Sequence, residues 1–345
     1  MFEVARKTLG YASKLAALLA LIPPSASFLQ AQESQSIPLT LQGSPTTEQV
    51  EAFVKTRARV LSLPHALPDI ICKQSTDRFV ASNDEPVQHT PDTATTGSPS
   101  HALYGVPAST GSTRKQMNSV EYGNQAYAVS EIRPPRDLKW KYADTISAEV
   151  AYVHGTESYS GIMLNGRPTG GKKLDNFLGL TSEGEFGSDL IDLLSVKQAQ
   201  ATEFIFRGTG NLFDRPVVIF DFRVQKNHNF YWRWYLRTVR LFHKGPKIEN
   251  FPPYAGSLWI DPAKQEVLRL EIRAVDIDPK FPLKSMEETI DYGHAQAGDL
   301  SDLLVPLHSE TLTCNRFAPV CNRNVLEFKD WRKFVVKSRV LAPVQ

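Results

Sequence analysis

Between Asn229 and Arg237 the sequence reads Asn-Phe-Tyr-Trp-Arg-Trp-Tyr-Leu-Arg, aromatic rings interleaved with cations. On an extended strand the side chains alternate, so Phe230, Trp232, Trp234 and Leu236 share one face and Tyr231, Arg233, Tyr235 and Arg237 the other. Such a surface can stack single-stranded nucleic acid, hold sugars or line a cavity for an apolar ligand. The plainer reading is a core strand with cross-strand pairs on its outer face, because aromatics are natural strand formers. A formal net charge of +2 removes the electrostatic argument for nucleic acid, so no such partner is expected. If a ligand is held, Phe230, Trp232, Trp234 and Leu236, joined by Trp259, are its expected wall.

Other groups are weaker candidates. Glu183 and Glu185, near Asp189, stand in a Gly-rich segment before a helix. Glycosidases need paired carboxylates, but acidic residues in a helix's first turn are also simply favourable there, and capping is the preferred reading. Gly166 to Lys173 nearly spells a phosphate-binding loop, yet Lys173 stands where the motif needs a hydroxyl for Mg²⁺. It reads as a solvated hairpin loop. The eight histidines form neither His-Glu-x-x-His nor His-x₃-His, so no metal is expected, and no cofactor motif or Gly-x-Ser-x-Gly elbow occurs. Ser112-Thr113-Arg114-Lys115 matches Ser-x-x-Lys but lies in low-complexity sequence. No catalytic residue is assigned, and the protein is expected not to be an enzyme.

Three cysteines are present. Cys314 and Cys321 are close enough to close a short loop and staple a hairpin, leaving Cys72 as a buried thiol. Two thiolates without a second pair make a poor zinc site.

These residues must be positioned by the rest of the 345-residue chain, which is 41% hydrophobic and 22% charged and so is able to bury a core. Residues 1–31 read as a secretory signal: Arg6, Lys7 and Lys14, then the apolar run Leu15–Ile22, then Pro23-Pro24 and small residues. Cleavage after Ala31 is preferred over Ala26. Without Arg6, Lys7, Lys14 and Glu3 the mature chain is formally neutral. No apolar run reaches the length a spanning helix needs. The protein is therefore expected to be exported, periplasmic or extracellular, with peripheral envelope contact at most.

Residues 32–44 read as a flexible leader, and 45–345 as one domain. A helix opens at Thr46-Thr47-Glu48 and is expected to stop at Pro64 and Pro68; a strand follows from Ile70 to Val80. The Pro/Ser/Thr/Gly-rich stretch 82–136 cannot bury enough to offset its ordering entropy and reads as a disordered insertion. Asn165-Gly166 marks a tight hairpin. Leu190, Leu193 and Leu194 mark a mid-chain helix. Strands are then expected at 203–207, 216–224, 230–242, 257–260, 267–277, 285–292, 303–313 and 324–340. Leu268, Leu270, Ile272 and Ala274 are expected to face the core, with Arg269, Glu271 and Arg273 wet. The expected fold is mainly β (α+β): a large curved antiparallel sheet, a half-barrel, with an N-terminal and a mid-chain helix.

That order of elements, with the hairpin from Gly256-Ser257-Leu258-Trp259-Ile260-Asp261 through Val267-Leu268-Arg269-Leu270, resembles the periplasmic lipoprotein-carrier (outer-membrane lipoprotein-sorting) superfamily. The resemblance is confined to that order and that hairpin. Over most of 45–340 the chain is similar to a group of uncharacterised exported bacterial proteins. It shares with them Leu67-Pro68-Asp69-Ile70-Ile71-Cys72, Ser182-Glu183-Gly184-Glu185-Phe186, Phe281-Pro282 and Ile290-Asp291-Tyr292. The carrier resemblance implies a half-barrel that wraps an apolar ligand, a lipid or acyl chain, on its concave face. It transfers no functional residue, and the insertion departs from the carrier pattern. The competing expectation is a structural or envelope-interaction module with a closed core; a carboxylate-dependent hydrolase is a third.

Overall fold

Thr46 starts the first helix by a reciprocal cap: its hydroxyl accepts from the Gln49 N–H while the Gln49 side chain accepts from the Thr46 N–H. Helix α1 (Thr47–Ala66) runs through Pro64 rather than stopping there. A proline late in a helix removes one ladder bond, whereas Pro68 forces the residue before it to be extended. Leu67 is extended, and its N–H closes the helix on Leu63 O.

The computed structural model describes residues 2–6, 41–82, 138–153, 156–184, 188–232, 234–240 and 243–334. The strands before the mid-chain helices are β1 (Phe2–Arg6), β2 (Leu41–Gln42), β3 (Ile70–Ser82), β4 (Lys141–Val153), β5 (Thr156–Leu164), β6 (Arg167–Pro168) and β7 (Leu180–Thr181). Helices α2 (Ser188–Leu194) and α3 (Val196–Gln200) follow. Then come β8 (Thr202–Leu212), β9 (Arg215–Val224), β10 (Trp234–Arg240), β11 (His243–Asn250), β12 (Tyr254–Asp261), β13 (Glu266–Ala274), β14 (Leu283–Ala297), β15 (Leu300–Asn315) and β16 (Val320–Lys333). The expected insertion lies outside the described residues apart from Ser82, and the expected signal segment apart from 2–6.

One 12-stranded sheet has the order β2-β8-β9-β12-β13-β14-β15-β16-β3-β4-β5-β6. It is antiparallel except for β2 against β8 and remains open at its two edges. The fold is therefore the expected mainly-β half-barrel with few helices. A small sheet, β11-β10-β1-β7, accompanies it. There Phe2–Arg6 runs antiparallel to β10 and parallel to β7.

Local chemistry fixes several turns. Asn165 and Gly166 both have positive φ and join β5 to β6, as a two-residue hairpin turn requires. Asp261 Oδ1 accepts from the Ala263 and Lys264 N–H groups, turning β12 into β13. Cys314 and Cys321 lie directly opposite on β15 and β16, with Cα atoms 4.0 Å apart, and form the expected disulfide.

Two expectations are corrected. Residues 225–232 are irregular, and the aromatic strand begins only at Trp234. A β-bulge between Trp259 and Ile260 shifts the β12–β13 register, which rotates Leu268 onto the face opposite Leu270 and Ile272. Nor is that opposite face wet: Arg269 is buried and pairs with Asp291 at 2.6 Å.

Candidate functional site

The face toward the helices is the inner one. Phe53 of α1 meets Phe204 and Phe220 at ring distances of 5.1 and 4.8 Å. Val60, Leu190, Leu193 and Leu194 add to this cluster, with Val218, Phe222, Leu258, Leu270 and Ile290 below them. Trp232 belongs here, its ring centroid 5.2 Å from that of Tyr254. Gln198, fully buried, fastens the irregular loop that carries it: Nε2 donates to His228 O at 2.9 Å and Oε1 accepts from the Phe230 N–H at 3.1 Å. Phe230 is half-buried, its ring 4.0 Å from Lys197 Nζ.

A second apolar cluster lies on the far half of the sheet: Ile70, Cys72, Val150, Tyr152, Leu326 and Phe328, with Ala297 and Val305. Among the described residues none of α1, α2 or α3 belongs to it, and Leu67, which caps α1, packs against it. The sheet closes over it by forking. β15 pairs with β16 only up to His308, after which β15 continues with β14 alone and β16 with β3 alone. Burial pushes the Cys72 thiol well up, and Glu157 adds to the effect. The same two causes push the Tyr152 hydroxyl up to about 12. The interior here disfavours charge.

Between the two clusters a polar row crosses the inner face. Direct cross-strand partners run Ile272, Glu288, Thr311, Asn324, Arg78, Asp144, over six adjacent strands. Glu288, Thr311 and Asn324 are each 1% exposed. Arg78 donates to both Asp144 oxygens, at 2.5 and 2.6 Å, and to Leu178 O at 2.5 Å. Asn324 Nδ2 donates to Leu180 O at 3.1 Å, and the Ser182 and Thr311 hydroxyls are 3.3 Å apart. Segment 178–182, which includes β7, is thereby strapped across the inner face.

Three buried side-chain oxygens on or beside this row have no hydrogen-bond partner among the described residues, Ser309 Oγ, Thr313 Oγ1 and Asn324 Oδ1; a fourth, Gln74 Oε1, lies four residues from Arg78 along β3, opposite Phe328 of the second cluster. Ser309, Thr311 and Thr313 are successive inner positions of β15. The sequence reading passed over these residues. The visible signal was a Ser-x-Thr-x-Thr alternation at 309–313; the partners from β3, β14 and β16 become visible only once register is known.

The other expected wall residues separate. Trp259 faces outward, in a cluster with Val217, Ile219 and Leu268, and its Nε1 has no partner. It lies across the sheet from Trp232. Trp234 and Leu236 stand on β10, paired with Arg6 and Val4 of β1. At the turn end of hairpin β12–β13 Glu266, 3% exposed, meets Arg59, Arg215 and His294 at 2.9, 3.2 and 3.1 Å. That network bonds hairpin β12–β13 to α1, and each acid in it has a cation beside it.

Of the carboxylates weighed for hydrolysis, Asp189 is buried in the first turn of α2, Glu183 is half-buried, and Glu185 lies outside the described residues. Lys172 and Lys173 are exposed in the loop after β6. Among the described residues no group of three or more His, Cys, Asp or Glu side chains is placed to hold a metal, and no helix is long and apolar enough to cross a membrane.

No family model matches the chain, and no curated protein matches it. Two solved structures do. A DUF1329 family protein from Desulfovibrio piger is 8% identical with a TM-score of 0.30, over 85% of this chain and 96% of that one. A LolA superfamily protein from Nitrosomonas europaea is 6% identical with a TM-score of 0.29, over 84% of this chain and 94% of that one. The likeness is at the level of fold, and no residue role is taken from it.

Proposed function

We propose that this is an exported, non-enzymatic carrier that holds an apolar ligand, a lipid or acyl chain, against the inner face of its sheet. One observation carries the reading. Beyond the polar row the inner face is apolar again, in a second cluster on β3, β4 and β16 that is enclosed by strands and the β14–β15 tip and, among the described residues, takes no member from α1–α3. An interior walled by a curling sheet opens by strand separation at the fork, without dismantling a helical core. The Cys314–Cys321 disulfide supports an oxidising compartment.

The competing reading is a structural envelope module, and it too has an observation behind it: the buried members of the second cluster are at most 4% exposed and pack on one another. Native mass spectrometry decides between them. The exported protein, purified without detergent, is measured intact and then extracted with solvent. A stoichiometric lipid-sized adduct supports the carrier; a bare polypeptide mass that stays bare after incubation with lipid overturns it.

A further inference from the structure

Charge is distributed unevenly between the two ends of the large sheet. At one end, register sets Leu283 of β14 beside Asn315 of β15, Val320 of β16 beside Ser82 of β3, and Val80 of β3 beside Lys141 of β4. The β5–β6 turn joins them, Asn165 Oδ1 accepting from the Thr145 N–H at 2.9 Å. This end carries Lys139, Lys141, Arg167, Lys280, Lys284 and Arg316, whereas segments 138–142, 165–167, 279–284 and 315–320 contain no Asp or Glu. Among the described residues none of the six cations forms a salt bridge. Of the nearest acids, Asp144 is held by Arg78 on both oxygens, and Asp278 accepts from the Lys280 N–H. The opposite end of β16 is balanced: Lys329 and Lys333 lie 3.7 and 3.8 Å from Glu327 and Asp299.

Apolar rings stand among these cations. Phe317 is 64% exposed and Tyr142 57%, more than any other large apolar side chain among the described residues. Phe317 sits on a tip that is already ordered. The Cys314–Cys321 disulfide closes its base, and Asn315 Oδ1 accepts from the Phe317 and Ala318 N–H groups at 2.8 and 3.0 Å. Little ordering entropy is therefore lost when this ring leaves water. Beside it the Arg316 guanidinium is fixed on Phe281 O and Leu283 O, at 3.2 and 3.3 Å. Burial, with that guanidinium close by, pushes the Lys284 ammonium below its ordinary value; an anion against the pair relieves the repulsion.

The mixture selects a kind of partner. Protein interfaces are depleted of lysine and seat their aromatic anchors in pockets, whereas four of these six cations are lysines and Phe317 projects from a hairpin tip. A bilayer surface takes aromatic rings at headgroup level and attracts Lys and Arg to its anionic lipids. We propose that this end of the sheet is a membrane-docking surface, on which Phe317 enters the interface of an anionic bilayer and Lys139, Lys141, Lys280 and Lys284 meet its phosphate headgroups. Docking of this kind does not depend on a ligand being held at the inner face.

The test mixes the protein as exported with vesicles of pure phosphatidylcholine and with vesicles in which about a third of the lipid is phosphatidylglycerol, and measures the bound fraction by co-flotation. Binding to the anionic vesicles is expected to be tighter by about tenfold or more, and to be lost in about 0.5 M salt, where the screening length falls to a few ångströms. Lys139→Gln/Lys141→Gln and Lys280→Gln/Lys284→Gln are each expected to weaken it about tenfold. Phe317→Ala is expected to weaken it about fivefold with the salt dependence unchanged. Lys329→Gln/Lys333→Gln, at the opposite end, should leave it as it is. Should Lys284→Gln lower the Tm, the Lys139/Lys141 pair and Phe317 carry the test. Equal binding to both vesicles, or binding to neither, overturns the proposal and leaves the carrier reading standing. An equal loss in Lys329→Gln/Lys333→Gln makes the attraction diffuse and also overturns it. So does polyglutamate bound as tightly as the anionic vesicles with Phe317→Ala silent, which would make the partner a soluble polyanion.

Discussion

Gly256 sits mid-way along β12, on the inner face, opposite Phe222 of β9 and Ile272 of β13. A Cβ there would lie 1.8 Å from Glu271 O and 2.5 Å from Phe222 Cζ. The first contact is with backbone in the neighbouring strand, so no rotamer change relieves it. Gly256→Ala must part β12 from β13 or shift the register, in the middle of the larger apolar cluster. Overpacking a core costs about 1–3 kcal/mol where side chains can yield, and a clash with ladder backbone belongs at or above the upper end. Gly210 on β8 is the control. A Cβ there would find Ile219 Cδ1 at 3.5 Å and Val217 Cγ2 at 3.9 Å, ordinary contacts. With the backbone compatible, Gly210→Ala is expected to gain about 0.4–1 kcal/mol by restricting the unfolded chain. Urea unfolding followed by tryptophan fluorescence reads both. The expected outcome is midpoints displaced in opposite directions, with Gly256→Ala lower by about 3 kcal/mol or failing to accumulate. A Gly256→Ala protein as stable as wild type would refute the close approach of β12 and β13 and the inner-face assignment built on it.

Three more outcomes are expected. The Cys314–Cys321 bridge closes a loop of sequence separation 7; chain entropy values such a loop at about 2.5 kcal/mol, so reduction or a Cys314→Ala/Cys321→Ala pair should lower unfolding free energy by about that amount. Cys72 gives a pH dependence: its thiol is held above its ordinary 9.0, so the folded state keeps a proton that the unfolded chain releases. Stability is then full below about pH 9 and falls as pH rises beyond it, at up to about 1.4 kcal/mol per unit. Tyr152 adds its own loss only above its ordinary 10.0. Between pH 9 and 10 the slope should flatten in Cys72→Ala; an unchanged slope would mean that the thiol ionises freely in the fold. Lastly, N-terminal sequencing of the exported protein should begin at Gln32, and a mature chain retaining Phe2 would remove the signal reading.

Short-range chemistry was legible in the sequence, and pairing across strands was not. The Thr46 cap, the Asn165-Gly166 turn, the Asp261 turn and the Cys314–Cys321 loop each depend on residues at most seven positions apart. Leu268 was assigned to the wrong face because strict alternation from Leu270 ignores the bulge at Trp259/Ile260, and a one-residue slip exchanges faces. Trp232 and Trp259 looked like one wall because both are large and aromatic; one lies in the inner cluster and the other in the outer. The polar row gathers Glu288, Thr311, Asn324 and Arg78 from four strands, and β3 beside β16 joins positions more than 240 residues apart. No local pattern encodes such a neighbour.

The position of β1 bears on whether a processed chain can keep this fold. Phe2–Arg6 is paired with β10 and β7, and cleavage after Ala31 would remove it. Neither neighbour depends on it for its seat. β10 keeps β11 as a partner from Trp234 to Arg240. β7 and its flanks are held from beneath by Arg78 on Leu178 O, Asn324 on Leu180 O and Thr311 against Ser182. Those contacts arise from the 12-stranded sheet, which contains no residue before Leu41. Residues 32–345 are therefore expected to unfold at the same denaturant midpoint as the full chain. A marked loss would make residues 2–6 part of the working protein and remove the case for a cleaved signal. An equal midpoint leaves the edges of β7 and β10 available beside the inner face, where a ligand would have to pass.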